Sequence, residues 1–436
     1  MGIIQAAIPL FFLLIALELV WAQVTGRRVL RLNDSLSDLS CGILSQLAGI
    51  FTKLFTVGIF IWVADHARVQ RWLPFVAEWP ERAPFIAAAG FPGFTVDVPA
   101  CLSWAAVFTL VDLAYYFSHR YAHEINILWA GHVVHHSSEE YNLPVALRQS
   151  ALHGLMSWVF YVPLALMGVP WRMFLASNAI NLVYQFWIHT RAIGTMGRAT
   201  EWIMNTPSHH RVHHGVNPAY QDKNYAGVFI VWDRLFGTFE PEVEAPVYGI
   251  TKPLNSWNPL WANVHVFVQI ARDAWRARRW ADKLRIVFGR PGWRPPELGP
   301  VERPVPVSVD TFEKFDPPVP APLAWYGFVQ FAAALVAGFL LLQAAGSIPI
   351  ALAVAPAFFI AVALAGVGGV FERAKWARPL ETARLLATAA TCGGLLWTGL
   401  APGVVAWGGL AFCLVSLAVL WAYRAELTHT ELAPLM

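Results

Sequence analysis

DLAYYFSHRYAHEINILWAGHVVHH, residues 112–136, is the stretch that decides how this chain folds, and HHRVHH, residues 209–214, repeats its pattern. Eleven of the 14 histidines lie between residues 119 and 214. On a helix, side chains three or four positions apart share one face, with Cβ atoms about 5–6 Å apart. The spacing therefore brings imidazoles together, and neutral imidazole binds Fe, Zn or Cu. The pattern predicts a metal site rather than isolated core histidines.

The histidines form three clusters, and the spacing within each cluster allows its members to bind the same metal ion. Their number exceeds the four ligands of a structural zinc ion, so two metal ions are the natural count. The clusters contain no cysteine and few carboxylates, which argues against a thiolate zinc site and against a carboxylate di-iron bundle. The predicted ligands are His119, His123, His132, His135, His136, His210, His213 and His214.

A polar stripe leads into the first cluster along one predicted membrane helix. Asp112, Tyr116, His119 and His123 follow one another at helical spacing. An aspartate within a membrane span is costly and marks a functional site by default. Asp112 is a candidate to orient a ligand histidine by accepting its second N–H. The alternative is an aspartate near the interface that is capped by water.

A second polar stripe lies in a later apolar run and ends on a histidine. Asn181, Gln185 and His189 repeat every four residues within an apolar run, so all three are expected to face inward rather than toward lipid. His189 is therefore a further candidate ligand. His153 stands alone at the start of a span and is interpreted as structural.

The composition of the whole chain indicates a membrane protein. Hydrophobic residues make up 57% of the 436 residues, charged residues only 14%, and the mean hydropathy is +0.48. Soluble proteins carry about 25% charged residues. A net charge of +3 gives no case for nucleic-acid binding. A span needs about 20 apolar residues, and nine runs qualify: 3–22, 42–64, 101–118, 151–169, 171–190, 324–343, 348–371, 380–400 and 403–423.

The distribution of basic residues predicts the orientation of these spans. If the N-terminus lies outside, segment 65–100 is an outer loop, and it contains only Arg68, Arg71 and Arg82. Most of the 31 Lys and Arg then lie in inner segments, as the positive-inside rule requires. The sequence therefore predicts an integral membrane protein whose histidine site faces the cytoplasm, at the inner membrane of a bacterium or the endoplasmic reticulum of a eukaryote.

The predicted fold class is an all-α integral membrane protein with about nine transmembrane helices and a cytoplasmic helical cap. Residues 1–290 are predicted to form the histidine-bearing unit, residues 291–323 a proline-rich linker, and residues 324–436 a four-helix membrane unit. Segment 259–290 mixes apolar and basic residues at near-helical spacing. It is interpreted either as a basic helix on an anionic leaflet or as a solvated face of the cap.

The histidine-bearing stretches of this chain resemble the fatty acid hydroxylase and sterol desaturase superfamily, and more closely its alkylglycerol monooxygenase branch. The resemblance is carried by residues 112–150 and 188–242 and covers about 100–258, with no departure from the histidine motif. It implies a non-haem site with two Fe ions, O2 as oxidant, and tetrahydrobiopterin or another electron donor. The implied reaction hydroxylates the ether-linked carbon of an alkylglycerol, giving an aldehyde and a glycerol derivative.

The resemblance also implies roles for two more residues. It adds His209 to the candidate ligands, and it matches Glu124, directly after the first cluster, to the family's His-Glu pair. Glu124 would bind the metal or transfer a proton, and a surface glutamate is the alternative. Relatives with the same motif act on sterols and fatty acyl chains, so a sterol desaturase-like or acyl-lipid hydroxylase activity is the alternative function. The expected partners are a membrane lipid substrate and an electron donor.

Two classes of protein other than enzymes fit the histidine pattern less well. Membrane metal transporters place ionisable residues near the bilayer midplane, often with repeat symmetry. Here the clusters lie at the ends of predicted spans, and the sequence has no evident repeat. A structural scaffold leaves the histidines unexplained. The sequence therefore favours a membrane-bound lipid monooxygenase.

Overall fold

Helices form nearly all of the regular structure in the described part of this protein. A computed structural model describes residues 3–73, 77–82, 85–87, 94–300, 308–400 and 402–427. The helices in the first part of the described chain are α1 (Ile3–Thr25), α2 (Leu32–Ala67), α3 (Val69–Trp72), α4 (Val98–Glu124), α5 (Asn126–Ala130), α6 (Val133–His136), α7 (Leu143–Ala146), α8 (His153–Ser157), α9 (Val162–Leu166) and α10 (Trp171–Trp187). They are followed by α11 (Arg198–Ile203), α12 (Pro207–His213), α13 (Val231–Phe236), α14 (Pro259–Arg276), α15 (Trp280–Phe288), α16 (Ala321–Ala344), α17 (Ile350–Phe371), α18 (Ala377–Thr398) and α19 (Gly403–Ala422).

One small element departs from the all-α prediction. Strands β1 (Phe85–Ala87) and β2 (Phe94–Val96) pair antiparallel in the segment between α3 and α4. Short 3-10 helices lie at Trp158–Tyr161, Pro296–Leu298 and Arg424–Glu426. The fold class is otherwise helical throughout the described residues.

Six helical stretches in the described residues are long and apolar enough to cross a membrane. They are α1, the α2–α3 stretch, α4, α16, α17 and α19. They correspond to six of the nine predicted spans. Helices α10 and α18 cover the predicted spans 171–190 and 380–400, and their passage through the membrane stays a prediction.

The predicted span 151–169 is not one helix. It is divided into α8, a 3-10 turn at Trp158–Tyr161, and α9. Pro163 lacks the backbone N–H that a continuous helix needs, and the backbone of Gly168 has a φ of +70° just after α9. The segment therefore forms short, partly buried helical pieces that pack beside α2 and α4, and not one straight span.

The C-terminal helices pack against the histidine-bearing part of the chain. Helices α16 and α17 share an apolar core with α2, in which Leu47, Phe331 and Leu364 are buried. Glu372, just after α17, accepts hydrogen bonds from the backbone N–H groups of Trp257 and Asn258 at the start of α14. The division into units at 290 and 324 stays a prediction.

The histidine clusters lie at one end of the membrane helices. His119 and His123 end α4, and His189 follows α10. At the start of α2, the Asp34 carboxylate accepts a hydrogen bond of 2.9 Å from Ser138, two residues after the second cluster. The ends of three long helices therefore surround the site.

Candidate metal centre

The structure sorts nine histidines into two groups that could each hold one metal ion. Within each group, one ligand atom per residue lies within 4.8 Å of every other. We name them group A and group B. Group A comprises His119, His123, His132, His136 and His213. Group B comprises His135, His189, His210 and His214.

This division corrects the prediction that each sequence cluster binds one ion. His135 separates from His132 and His136, and His213 separates from His210 and His214. Side chains four positions apart on a helix differ by about 40° in direction, and those three apart by about 60°. The pairs four apart therefore stay together, and the remaining histidine of each cluster faces the other group.

Backbone carbonyls fix the rings of both groups from outside. In group A, Nδ1 of His119 donates to the carbonyl of Tyr225 at 2.7 Å, and Nδ1 of His213 donates to that of Lys223 at 2.9 Å. These bonds leave the Nε2 atoms of both rings directed into the group. A fixed tautomer of this kind is the usual arrangement of metal-binding histidines.

Group B provides the sharpest test of fit to a metal. Nδ1 of His135 donates to the Arg148 carbonyl at 3.0 Å, and Nδ1 of His189 donates to the Gln185 carbonyl at 2.8 Å. A neutral imidazole has a single N–H, so the two Nε2 atoms face each other as acceptors, 3.2 Å apart. Two acceptors at this distance repel unless a cation lies between them. Nitrogens that bind one ion at about 2.1 Å and at right angles lie about 3.0 Å apart.

Several buried ring nitrogens have no hydrogen-bond partner among the described residues. Among them are His123 Nε2, His213 Nε2 and His214 Nε2, one from each of three rings of the two groups. A buried polar atom without a partner costs about 1–3 kcal/mol. A metal ion would satisfy them, so the donor set fits the predicted metals.

The electrostatics of the site favour the neutral, metal-binding form of the rings. Burial, reinforced by neighbouring histidines, lowers the pKa of His136 and His214 well below the usual value. Burial also lowers the pKa of His213 to about 4. Because a lowered pKa keeps imidazole neutral near pH 7, these rings present lone pairs rather than positive charges.

Asp112 does not contact a ligand histidine. Its carboxylate accepts four hydrogen bonds, of 2.6–3.0 Å, from Asn181, the backbone N–H groups of Val228 and Phe229, and Trp232. The Nδ1–H of His119 donates instead to the Tyr225 carbonyl. Asp112 thus holds the 225–229 segment against α4, and that segment orients His119.

Close packing of this segment requires a glycine. A Cβ at Gly227 would lie 2.9 Å from the Asp112 carboxylate and 2.8 Å from the amide oxygen of Asn181. The inward-facing stripe predicted in α10 is present, since Gln185 donates to Asn181 at 2.6 Å and Tyr115 donates to Gln185 at 2.7 Å. The stripe ends on His189 in group B.

Besides Asp112, two predicted site residues lie outside both groups. Nε2 of His209 lies 2.8 Å from a carboxylate oxygen of Glu201. Glu124 is half-buried and pairs with Arg120 one turn earlier at 2.9 Å. In this geometry His209 ties α12 to α11, and Glu124 belongs to the rim beside His123.

Sequence reasoning missed the residue that supports group B from behind. Arg148 is fully buried, pairs with Asp38 at 3.1 Å, and donates to the Val134 carbonyl at 2.7 Å. Its own carbonyl orients His135. The available signal was an arginine inside the apolar surroundings of residues 143–152, because a buried arginine needs a carboxylate partner.

An apolar cavity of about 660 Å³ lies between α2, α14 and α17. Ala151 and Leu152 also line it. The next residue, His153, has its ring 5.6 Å from that of His132. Cavities that bind small molecules have volumes of about 300–1,000 Å³.

Comparison with known proteins agrees with this geometry. The family model for fatty acid hydroxylases matches residues 104–238. An alkylglycerol monooxygenase of Xenopus tropicalis is 37% identical over 385 residues, which cover 88% of this chain and 80% of the relative. That of Homo sapiens is 38% identical over 389 residues, 88% of this chain and 81% of the relative. That of Danio rerio is 39% identical over 302 residues, 68% of this chain and 62% of the relative.

No solved structure gives a significant match. The similarity to the alkylglycerol monooxygenases extends well beyond residues 100–258, into the flanking membrane helices. Histidine groups at the ends of apolar helices, a matching family model and near full-length relatives lead to one assignment. The chain belongs to the fatty acid hydroxylase family, among the alkylglycerol monooxygenases, and is a membrane-bound lipid monooxygenase.

Proposed function

We propose that this protein is a di-iron monooxygenase that hydroxylates the ether-linked carbon of alkylglycerols. The observation that carries the proposal is the pair of histidine groups, in each of which one ring nitrogen per residue lies within 4.8 Å of all the others. Group A would hold one iron ion and group B the other. Imidazole is a suitable ligand for iron, and the names of the relatives supply the substrate class.

The proposed reaction balances as a monooxygenation. One oxygen atom of O2 enters the C–H bond beside the ether oxygen. Two electrons from the donor and two protons convert the other oxygen atom to water. The resulting hemiacetal loses its C–O bond and gives an aldehyde and a glycerol derivative. When bound, the iron ions would supply the activation of O2. Tetrahydrobiopterin is the proposed electron donor on the basis of the resemblance.

The protein's own residues would position the lipid and exclude water. The ring of Trp129 lies 5.1 Å from that of His123 and 5.6 Å from that of His136. On the other side, the ring of Tyr141 lies 5.3 Å from that of His214. These aromatic rings give the centre apolar walls, which limit side reactions with water.

We also propose that the 660 Å³ cavity receives the distal part of the alkyl chain. Almost all of its lining is apolar, and its one amide, Asn263, is already engaged with the backbone N–H of Ala151 at 2.8 Å. Ala361→Phe would reduce the cavity from the α17 side. Activity on long alkyl chains should fall about tenfold relative to short ones, the scale that one methylene in an apolar pocket gives. Ala390→Phe, at an exposed position of α18, is the matched control.

The test of the reaction uses the purified full-length protein in lipid nanodiscs. Hexadecylglycerol should yield hexadecanal and glycerol, with one atom of labelled O2 in the aldehyde before exchange. Hexadecanoylglycerol, which has an ester in place of the ether, should yield no aldehyde. Tetrahydrobiopterin should sustain turnover better than other reductants. A hydroxylated acyl chain from the ester, with no ether cleavage, would instead identify the acyl-lipid hydroxylase alternative.

The cytoplasmic orientation of the centre is part of the proposal and is supported by the distribution of arginines. Val243 lies on the histidine side, and Glu78 lies beyond the far end of α2; both side chains are about three-quarters exposed, at 73% and 74%. In intact cells, a cysteine at Val243 should react only with a membrane-permeant thiol reagent. A cysteine at Glu78 should also react with an impermeant one. The opposite pattern would reverse the topology.

A further inference from the structure

The exposed faces of α14 and α15 are apolar. On α14 the exposed positions Leu260, Val264, Val268 and Trp275 form one helical stripe, and the side chain of Trp275 is 87% exposed. A helix at a water-facing surface has the reverse pattern, with its apolar side turned inward. The exposed stripe therefore requires a partner that is not water.

The stripe continues on α15. Trp280, Leu284 and Phe288 are spaced four residues apart and are exposed, Trp280 at 79%. The opposite faces of the two helices are packed, with Ile270 and Ile286 buried in one core together with Ala130 of α5. The exposed apolar side is therefore a fixed feature of the packed hairpin.

The start of the stripe lies at the depth of the membrane helices. Leu260 and Val264 line the apolar cavity together with Val354 and Phe358 of α17, a helix long and apolar enough to cross a membrane. The stripe therefore begins where α17 would meet hydrocarbon. Because α15 follows α14 after a short turn, a bilayer at that point would meet the exposed apolar side of both helices.

The charges beside the stripe are mostly basic. Residues 259–290 contain seven Lys and Arg and two Asp. Arg276, Arg278 and Arg279, at the turn between the helices, and Arg290, after α15, are exposed. One of the two aspartates, Asp273, is engaged by Arg294 at 3.2 Å. Basic residues that flank an exposed apolar stripe match the anionic headgroups of a lipid leaflet.

We infer that α14 and α15 form an interfacial platform, immersed by the stripe in the membrane and held by their arginines against anionic lipid headgroups. The platform packs on α5, the short helix between the first and second histidine clusters. The backbone N–H of Asn126 donates to the Gly289 carbonyl at 2.9 Å, and its side-chain amide donates to the Ile286 carbonyl at 2.8 Å. Anionic lipid would therefore set the depth of the metal centre at the interface.

Spin labels on the full-length protein in nanodiscs test the inference independently of catalysis. Labels are introduced by Trp280→Cys, Leu284→Cys and Phe288→Cys, with Asp282→Cys as the control, after the native cysteines have been replaced by alanine. The three stripe labels should be relaxed by O2 and protected from a water-soluble nickel chelate. The control label should show the reverse. Nickel access at all four positions would overturn the platform, and protection from both reagents would indicate a protein partner instead.

The lipid arm compares phosphatidylcholine discs with discs that also contain phosphatidylglycerol. The label at Leu284 should lie deeper in the anionic discs. The triple variant Arg276→Gln, Arg278→Gln, Arg279→Gln should lose more than half of that change. Equal depth in both lipids would overturn the anionic-lipid part of the inference. Because no turnover is measured, a failure here is separate from a failure of the proposed reaction.

Discussion

The two histidine groups differ in how the fold holds them. Group A depends on a loop, since the carbonyls that orient His119 and His213 belong to Tyr225 and Lys223. Group B depends on α10 and on the segment after α7, since His189 is oriented by the carbonyl of Gln185 and His135 by the carbonyl of Arg148. Each group is thus stabilised by a different part of the chain. Variants can therefore be chosen to weaken one group and spare the other.

The largest effects should follow from removing a ligand from either group. His213→Ala removes an imidazole from group A, and His135→Ala removes one from group B. Either should abolish turnover and lower the iron content by the ion of its own group, while the protein still inserts into the membrane. Iron per chain and Mössbauer spectra of isotopically enriched protein measure both effects. Identical spectral losses in the two variants would contradict the assignment of separate groups.

Loss of the buried ion pair behind group B should have the next largest effect. Asp38→Asn leaves the guanidinium of Arg148 without the carboxylate at 3.1 Å. Breaking a buried pair from one side costs about 3–5 kcal/mol. Thermal unfolding should shift accordingly, and iron should be lost from group B first.

The control for that variant is an exposed carboxylate of the same region. Asp316 is about half exposed, at 54%, and accepts a hydrogen bond from Asn33. Asp316→Asn should cost about 1 kcal/mol or less, as exposed pairs do. Equal destabilisation by the two variants would show that the buried pair of Asp38 contributes no more to stability than an exposed carboxylate.

Removing the charge of Asp112 should act on group A. Each oxygen of this carboxylate accepts two hydrogen bonds. In Asp112→Asn an NH2 group replaces one of these oxygens, so it would face two N–H donors and could accept from neither. The 225–229 segment should loosen and His119 lose its orientation, with a loss of about 10–100-fold in activity, as for partners behind a ligand. Group B should keep its iron. Thr109→Val, on the exposed side of α4, is the control. Wild-type turnover in Asp112→Asn would remove the link between this segment and the centre.

Much of the centre could be predicted from local spacing. Helical periodicity alone places His119 with His123 and His132 with His136, and the inward stripe of α10 predicts that His189 faces the site. These features depend only on residues within one or two turns. Six of the nine predicted spans follow from the same kind of local information, because each is an apolar run long enough to form one membrane-spanning helix.

The remaining features depend on contacts between distant segments. The split of HVVHH between two groups needs the positions of α10 and α12, and the carbonyl that orients His119 is 106 residues away in sequence. Every residue has a backbone carbonyl, so the amino-acid type does not reveal which carbonyl orients the histidine. The partner of Asp112 was predicted to be a histidine because local reasoning could not place the 225–229 segment beside α4. The broken span at 151–169 likewise needed the structure, since its apolar composition hides the effect of Pro163.

The smallest effect is expected at His209, which resemblance adds to the ligands and the structure places against Glu201. The Glu201 carboxylate also accepts hydrogen bonds from Thr206 at 2.9 Å and Ser208 at 2.8 Å. His209→Gln keeps a donor for Glu201, so stability should fall by about 1 kcal/mol at most, and iron content and turnover should stay near those of the parent. The neighbouring His210→Gln removes a nitrogen that lies 2.9 Å from His189 Nε2. It should lower the iron content of group B and abolish activity. Because the two variants make the same chemical change one residue apart, general damage to α12 would affect both alike. Loss of iron in His209→Gln as large as in His210→Gln would make His209 a ligand and require α12 to turn toward the centre.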